Sequence, residues 1–298
     1  MQSYVEAPGP LGALKGTMLS AGVPDAPLVL IVPGSGPTDR DGNNSLGLKG
    51  ASYRLLAEGL AEKSISSVRI DKRGMFASAG AVADANDVTI EDYAADIHSW
   101  IASIRKRTGA ACVWVLGHSE GGLVALAAAQ HPEGICGLVL VSAPGRPLGT
   151  IIREQLRANP ANEPLLADAE TAIASLEAGK RIDVSGMHPA LQGLFAPRVQ
   201  GFLINVFGLD PAKLIAAYAG RVQIVQGDQD IQISIADAQK LEGANASAEL
   251  VILPGINHVL KAVASNDRGA NLAAYADPSL PLGPGVVEAI TGFVKSGK

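Results

Sequence analysis

The sequence predicts an α/β fold: a mostly parallel central sheet flanked by helices, with one helical insertion. Three observations predict it. Short Val/Ile/Leu-rich runs recur along the 298 residues, and most are apolar throughout rather than alternating, as strands covered on both faces are. Longer segments with helical spacing separate these runs. Alternation of the two element types favours parallel strands joined by crossover helices. Hydrophobic residues make up 47% of the chain and charged residues 18%, enough to bury a large core.

Taken in order, the segment 12–20 offers one or two edge strands, and the core strands are expected at 28–32, 67–70, 112–116, 137–141, 221–225 and 249–253. Helical patterns cover 49–63, 89–107, 121–130, 234–241 and 285–294. Thr89, with Asp92 three residues on, has the arrangement of a capping box. The small, apolar stretch 121–130 reads as a helix packed close against the sheet. About 80 residues separate the strand ending at 141 from the one starting at 221, too many for a single crossover helix. Helical stretches at 150–158, 164–178, 197–207 and 211–218, broken by Pro and Gly, occupy that gap. The expectation is therefore a core formed by 1–142 and 219–298, with a helical cap, 143–218, over the C-terminal edge of the sheet. The Pro/Gly-rich tail 274–285 is expected as an irregular loop into the last helix.

Composition excludes several classes of partner. The chain has 24 Lys+Arg against 29 Asp+Glu, a net charge of −5, and no basic block; aromatic residues make up 4%. Neither nucleic acid nor an anionic membrane is expected as a main partner. The longest apolar runs, such as 28–32 and 138–141, are far too short to span a bilayer. Residues 1–10 have no basic segment followed by an apolar one, so no signal peptide is expected. The two cysteines, Cys112 and Cys136, sit beside strand-like runs and are expected as buried free thiols in a reducing, cytoplasmic setting. Oligomeric state is left open.

The sharpest chemical signal is Gly117-His118-Ser119-Glu120-Gly121-Gly122, after one expected strand and opening one expected helix. This is G-x-S-x-G in strand–turn–helix context. A serine on so sharp a turn needs small neighbours two residues to either side. The helix that follows aims its N–H groups and dipole at a developing oxyanion. A hydroxyl also needs a base. Of five histidines, His98 lies mid-helix and His131 at a helix end, His188 lies in the insertion, and His118, beside the serine, is expected to point away from it. His258 follows the strand 249–253 by a short loop, on the sheet edge that carries Ser119, and is assigned as base. A carboxylate must orient it, and either Asp228 or Asp230, after the strand 221–225, is placed to do so. The order Ser119, Asp, His258 is that of one known hydrolase triad.

Together these residues resemble the α/β-hydrolase-fold serine hydrolases, over nearly the whole chain. The resemblance implies that Asp230, ending Gly227-Asp228-Gln229-Asp230, is the acid, and that the base follows the Gly255-Ile256-Asn257 turn. Asp71-Lys72-Arg73-Gly74 with Ser78 resembles the family's D-x-R-G-x-G-x-S turn, with Phe76 in place of its second glycine. The segment PGSGPTDRDG, 33–42, is similar to a bacterial carboxylesterase-like subgroup related to serine aminopeptidase-like hydrolases. The resemblance further implies an oxyanion hole made by the backbone N–H of Glu120 and that of Ser35 or Gly36, and requires no cofactor or metal.

Rival readings of this loop are weaker. Gly34-Ser35-Gly36 hints at a dinucleotide turn, but Asp39 stands where the third glycine belongs. The segment 39–43 faintly resembles a calcium loop but lacks its closing Glu. Asp39, Arg40 and Asp41 are expected either to clamp the loop to the sheet, through Arg69 or Arg73, or to contact a polar substrate group. The Glu120 carboxylate is expected to hydrogen-bond behind the site. Leu191, Leu194, Phe195, Phe202, Leu203 and Phe207 either line an acyl pocket or form the core of the cap. The expected activity is carboxylester hydrolysis of small or medium acyl esters. Aminopeptidase, amidase or thioesterase activity is the alternative, and a non-catalytic ligand-binding protein the remaining one. A small-molecule ester or amide is the expected partner.

Overall fold

The computed structural model describes residues 1–264 and 267–296. Among them, β1 (Gln2–Ala7), β2 (Leu14–Leu19), β3 (Leu28–Val32), β4 (Ser66–Ile70), β5 (Val113–His118), β6 (Ile135–Val141), β7 (Val222–Gly227) and β8 (Glu249–Leu253) form one sheet. Its order is β1-β2-β4-β3-β5-β6-β7-β8. The pairs β1·β2 and β2·β4 are antiparallel and the remaining pairs parallel. The first strand lies ahead of the segment expected to supply the edge.

The continuous apolar runs divide between two cores. Leu30, Val32, Val115, Leu138, Leu140 and Ile224 face one layer, whereas Val29, Ile31, Trp114, Leu116, Val139 and Val141 face the other. A strand turns successive side chains to opposite faces, so unbroken hydrophobicity is what a sheet covered twice requires. The second layer contains α1 (Ser52–Glu62) and α11 (Val286–Lys295); the first contains α2 (Ile90–Thr108), α3 (Glu120–Ala128) and α9 (Ile235–Ala244). Helix α2 begins with a reciprocal Thr89–Asp92 capping box and ends at Gly109 in the left-handed conformation.

Between β6 and β7 lie α4 (Leu148–Arg157), α5 (Leu166–Glu177), α6 (Pro189–Leu194), α7 (Gln200–Phe207) and α8 (Pro211–Ala217). Helices α4, α5 and α7 pack on one another, α7 also on α2, and α8 packs on α3 and α9. Leu191, Phe195, Leu203 and Phe207 are buried in that layer's core, and Phe202 packs edge-on against Tyr93. Helix α10 (Arg268–Ala276), begun by the Asp267 side chain accepting from the Ala270 N–H, arises where no helix was expected.

The cysteine expectation is corrected: Cys112 and Cys136 form a disulfide, with their Cα atoms 5.1 Å apart. The two precede and open neighbouring strands, and the parallel pairing of Val113 with Ile135 brings them side by side. No helix among the described residues is long and apolar enough to cross a membrane.

Candidate active site

Strand β5 ends at His118 and α3 begins at Glu120, leaving Ser119 alone in the turn with φ 54° and ψ −125°. A non-glycine residue holds such a conformation only where its surroundings over-determine it. Here two glycines make room. A Cβ on Gly117 would stand 2.1 Å from the Gly121 carbonyl oxygen, and one on Gly121 would stand 2.4 Å from that of Val32. The Ser119 N–H donates to Val141 O at 2.9 Å, and its carbonyl accepts from the Gly122 N–H at 2.8 Å.

The loops after β7 and β8 are laced together by the Asp228 N–H on Leu253 O and the Gln229 N–H on Ile256 O. This brings the His258 ring to Asp230, with Nδ1 2.8 Å from Oδ2. The Asp230 carboxylate also accepts from the backbone N–H groups of Gln232, at 2.8 Å, and Ile233, at 3.0 Å. Burial alone would raise its pKa, but the His258 charge and these donors outweigh that and hold it below the ordinary carboxylate value. Asp228 is exposed and turned away, accepting from the Gly255 N–H. With Nδ1–H donated to Asp230, Nε2 of His258 is left with a lone pair. Ser119 and His258 line one cleft of about 430 Å³.

The loop after β3 borders this cleft. Gly34 lies against Ser119, since a Cβ there would be 3.1 Å from that of Ser119. Its N–H donates to the Tyr53 hydroxyl at 3.1 Å, and its carbonyl accepts from Lys72 Nζ at 2.7 Å. The next two residues, Ser35 and Gly36, are exposed, and among the described residues their N–H groups meet no protein acceptor. The Glu120 N–H heads the first turn of α3, where a helix offers no internal acceptor. The Glu120 carboxylate is buried and bonded to Lys72 Nζ at 3.1 Å. Lys72, which the sequence showed only as part of the Asp71–Gly74 turn, therefore ties the loop to the head of α3.

Asp39, Arg40 and Asp41 lie elsewhere. Asp39 accepts from the backbone N–H groups of Asp41 and Asn43. Arg40 is held by Asp71 through its backbone N–H and its guanidinium, and Asp41 pairs with buried Arg69. Arg73 instead pairs with Asp92 and Asp96 on α2. The three line a second, charged cleft of about 540 Å³ that does not include Ser119. Phe76 takes the place of the second turn glycine with φ 46°, and the turn is held by the Ala77 N–H and the Ser78 hydroxyl on Asp71.

Of the other histidines, His98 Nε2 meets Ala128 O and His188 caps α6 through Nδ1. His118 is buried between Tyr53 and the His258 main chain, with Nδ1 2.8 Å from the Tyr53 hydroxyl and Nε2 2.8 Å from His258 O. Burial, followed by the His258 charge, pushes its pKa down to about 3. The apolar wall of the cleft comes from Leu46, Leu48, Val259 and, on α10, Leu272 and Tyr275. No residue of 143–218 lines this cleft. Sequence reading missed α10 and the turn 44–48 as cleft walls; the Asp267 cap and the run Ala270–Ala276, rich in Ala, were the available signals.

A family model described as serine aminopeptidase, S33, matches residues 46–173. That stretch contains Ser119 and Glu120 and stops before Asp230 and His258. Esterase EstD of Thermotoga maritima is 25% identical over 241 residues, which are 78% of this chain and 54% of that protein. The chain thus spans about half the length of the curated relative it matches. Among solved structures, Est1E from Butyrivibrio proteoclasticus aligns with a TM-score of 0.61 at 17% identity, over 99% of this chain and 98% of that one. The alpha/beta hydrolase GrgF from Penicillium sp. sh18 aligns with a TM-score of 0.62 at 19% identity, over 100% of this chain and 99% of that one.

Proposed function

We propose that this chain, whose fold is that of the α/β hydrolases, is a serine carboxylesterase that cleaves uncharged esters through an acyl-enzyme. The observation that carries the reading is the cleft shared by Ser119, on its left-handed turn, and His258, whose Nδ1 is bonded to Asp230. In this reading Ser119 Oγ attacks the ester carbonyl while His258 Nε2 takes its proton, and Asp230 stabilises the imidazolium. The backbone N–H of Glu120 and that of Ser35 or Gly36 receive the oxyanion, each donor being worth about 3 kcal/mol. His258 then protonates the departing alkoxide. Water, deprotonated by His258, releases the acid and restores Ser119.

Esters are favoured over free-amine peptides by electrostatics. An α-ammonium needs a carboxylate partner, and the described residues that line the cleft include no Asp, Glu, Lys or Arg. Glu120 is engaged by Lys72, and Asp39 and Asp41 face the other cleft. The apolar part of the substrate would rest on Leu46, Leu48 and Leu272. Leu46 is 81% exposed and Leu272 44%, and large apolar side chains left open at a cleft mouth mark a binding surface.

The test is hydrolysis of p-nitrophenyl esters of increasing acyl length, an acyl thioester and aminoacyl anilides, with Ser119→Ala as control. Ester turnover reduced by at least about 10³-fold in the variant, with anilides inert, is the expected result. Anilide turnover that depends on Ser119 would replace the esterase reading with the aminopeptidase one that the matched family's description favours.

A further inference from the structure

We propose that Tyr53 and His118 are positioning residues: a one-way hydrogen-bond chain through them sets the oxyanion loop against the loop that carries the base. The inference rests on the esterase reading of the site, and its atoms lie outside the triad.

Every direction in the chain follows from chemistry. The His258 main-chain oxygen accepts only, so His118 Nε2, 2.8 Å away, carries a hydrogen. A neutral imidazole protonated there has a bare Nδ1. The Tyr53 hydroxyl, 2.8 Å from Nδ1, therefore donates to it. The Gly34 N–H, 3.1 Å from the same hydroxyl, donates to the oxygen's lone pair. The resulting path runs from the Gly34 N–H through the Tyr53 hydroxyl and the His118 ring to the His258 carbonyl. It joins the β3 loop, helix α1, the nucleophile turn and the β8 loop.

The links of the chain are buried. Tyr53 is 3% exposed, His118 7% and His258 5%, so a broken link leaves a buried polar group without a partner. It also needs His118 neutral. Burial provides that, and the charges acting on the ring come from His258, which disfavours its protonation, and Asp230, which favours it less. The His118 and His258 ring centres are 4.8 Å apart. A second cation beside His258 would oppose the imidazolium formed during proton transfer, whereas a neutral ring does not.

At its ends the chain holds what catalysis must align. Gly34 precedes Ser35 and Gly36, the loop's oxyanion donors, and lies against Ser119. His258 is the base. Two loops 224 residues apart in sequence, Gly34 to His258, are thus held in register by Tyr53 and His118, which border the cleft but take no part in the proton transfer.

Two measurements test this. Two-bond ¹H–¹⁵N correlation spectra of the imidazoles should show His118 with its hydrogen on Nε2, unchanged between about pH 5 and 8. A hydrogen on Nδ1, or titration of His118 in that range, would overturn the proposal, and this reading needs no variant to fold. Tyr53→Phe keeps the ring and removes the hydroxyl. It should lower kcat about tenfold with KM changed less than about twofold. It should also slow labelling of Ser119 by a fluorophosphonate by a similar factor. Full kcat and full labelling rate in folded Tyr53→Phe would overturn the positioning role. If the wild type hydrolyses no ester yet its Ser119 is labelled, the esterase reading fails, and the labelling ratio alone decides the positioning role.

Discussion

At the scale of single residues, the site depends on what each polar atom can donate or accept. Asp230 is held ionised by His258 and by two backbone N–H groups. Asp230→Asn keeps the shape but removes the charge that fixes the His258 tautomer, and kcat for esters should fall by about 10³–10⁴-fold with the fold intact. Steady-state kinetics with circular dichroism of the variant checks this. His118 gives a pH prediction. Its folded pKa of about 3 lies below its ordinary 6.5. Between those values the unfolded chain binds a proton that the folded chain does not. The stability contributed by neutral His118 is therefore complete above about pH 6.5 and is lost as pH falls toward 3. Denaturant midpoints of wild type and His118→Phe should lie farthest apart near pH 7 and converge toward pH 4. A gap that stays constant over that range would refute the assignment of the lowered pKa.

At the scale of elements, turns place the chemistry. The Ser119 turn brings α3 so close to β3 that the Gly121 Cα has no space for a methyl group. Gly121→Ala should cost several kcal/mol, as overpacking against main chain does. It should also abolish fluorophosphonate labelling in whatever fraction folds, since α3 cannot shift without moving Ser119. Thermal melts and gel labelling read the two effects. The charged loop behaves as a clamp: buried Asp71 receives the Arg40 backbone and guanidinium and the Ala77 N–H. Asp71→Ala leaves a largely buried guanidinium without its partner and should destabilise by about 3 kcal/mol in urea titrations. Most of these elements were legible from periodicity, caps and glycines. Helix α10 was not, because it is only nine residues long, buries only Asn271 and Ala274, and turns Leu272 toward the cleft rather than into the core. It nonetheless holds the loops after β7 and β8, with Asn271 bonded to Gln229 O and to the Asn257 side chain.

At the scale of the whole molecule, the disulfide overturns an expectation. Cys112 and Cys136 lie at the N-terminal ends of β5 and β6, whereas Ser119 lies beyond the C-terminal end of β5. The bridge closes a loop of sequence separation 24, and restricting the unfolded chain in this way is worth about 3 kcal/mol. Cys112→Ala/Cys136→Ala, or reduction by dithiothreitol, should lower the melting temperature by several degrees and leave kcat unchanged. A loss of kcat in the folded double variant would contradict that separation. The bond also removes the free thiols on which a reducing, cytoplasmic setting was argued. The insertion buries Leu191, Phe195, Leu203 and Phe207 in the core layer it shares with α2, α3 and α9, and none of them lines the Ser119 cleft.

Local order determined the strand and helix alternation, the Gly-His-Ser-x-Gly turn and the helix caps, because each of these arises from neighbours within a few residues. The pairing of Glu120 with Lys72, the disulfide and the Tyr53–His118 chain were decided only in three dimensions. Each depends on loops that strand pairing brings together across tens to hundreds of residues. The partner of a polar group is set by which atoms arrive within about 3 Å, and no spacing along the chain encodes that distance.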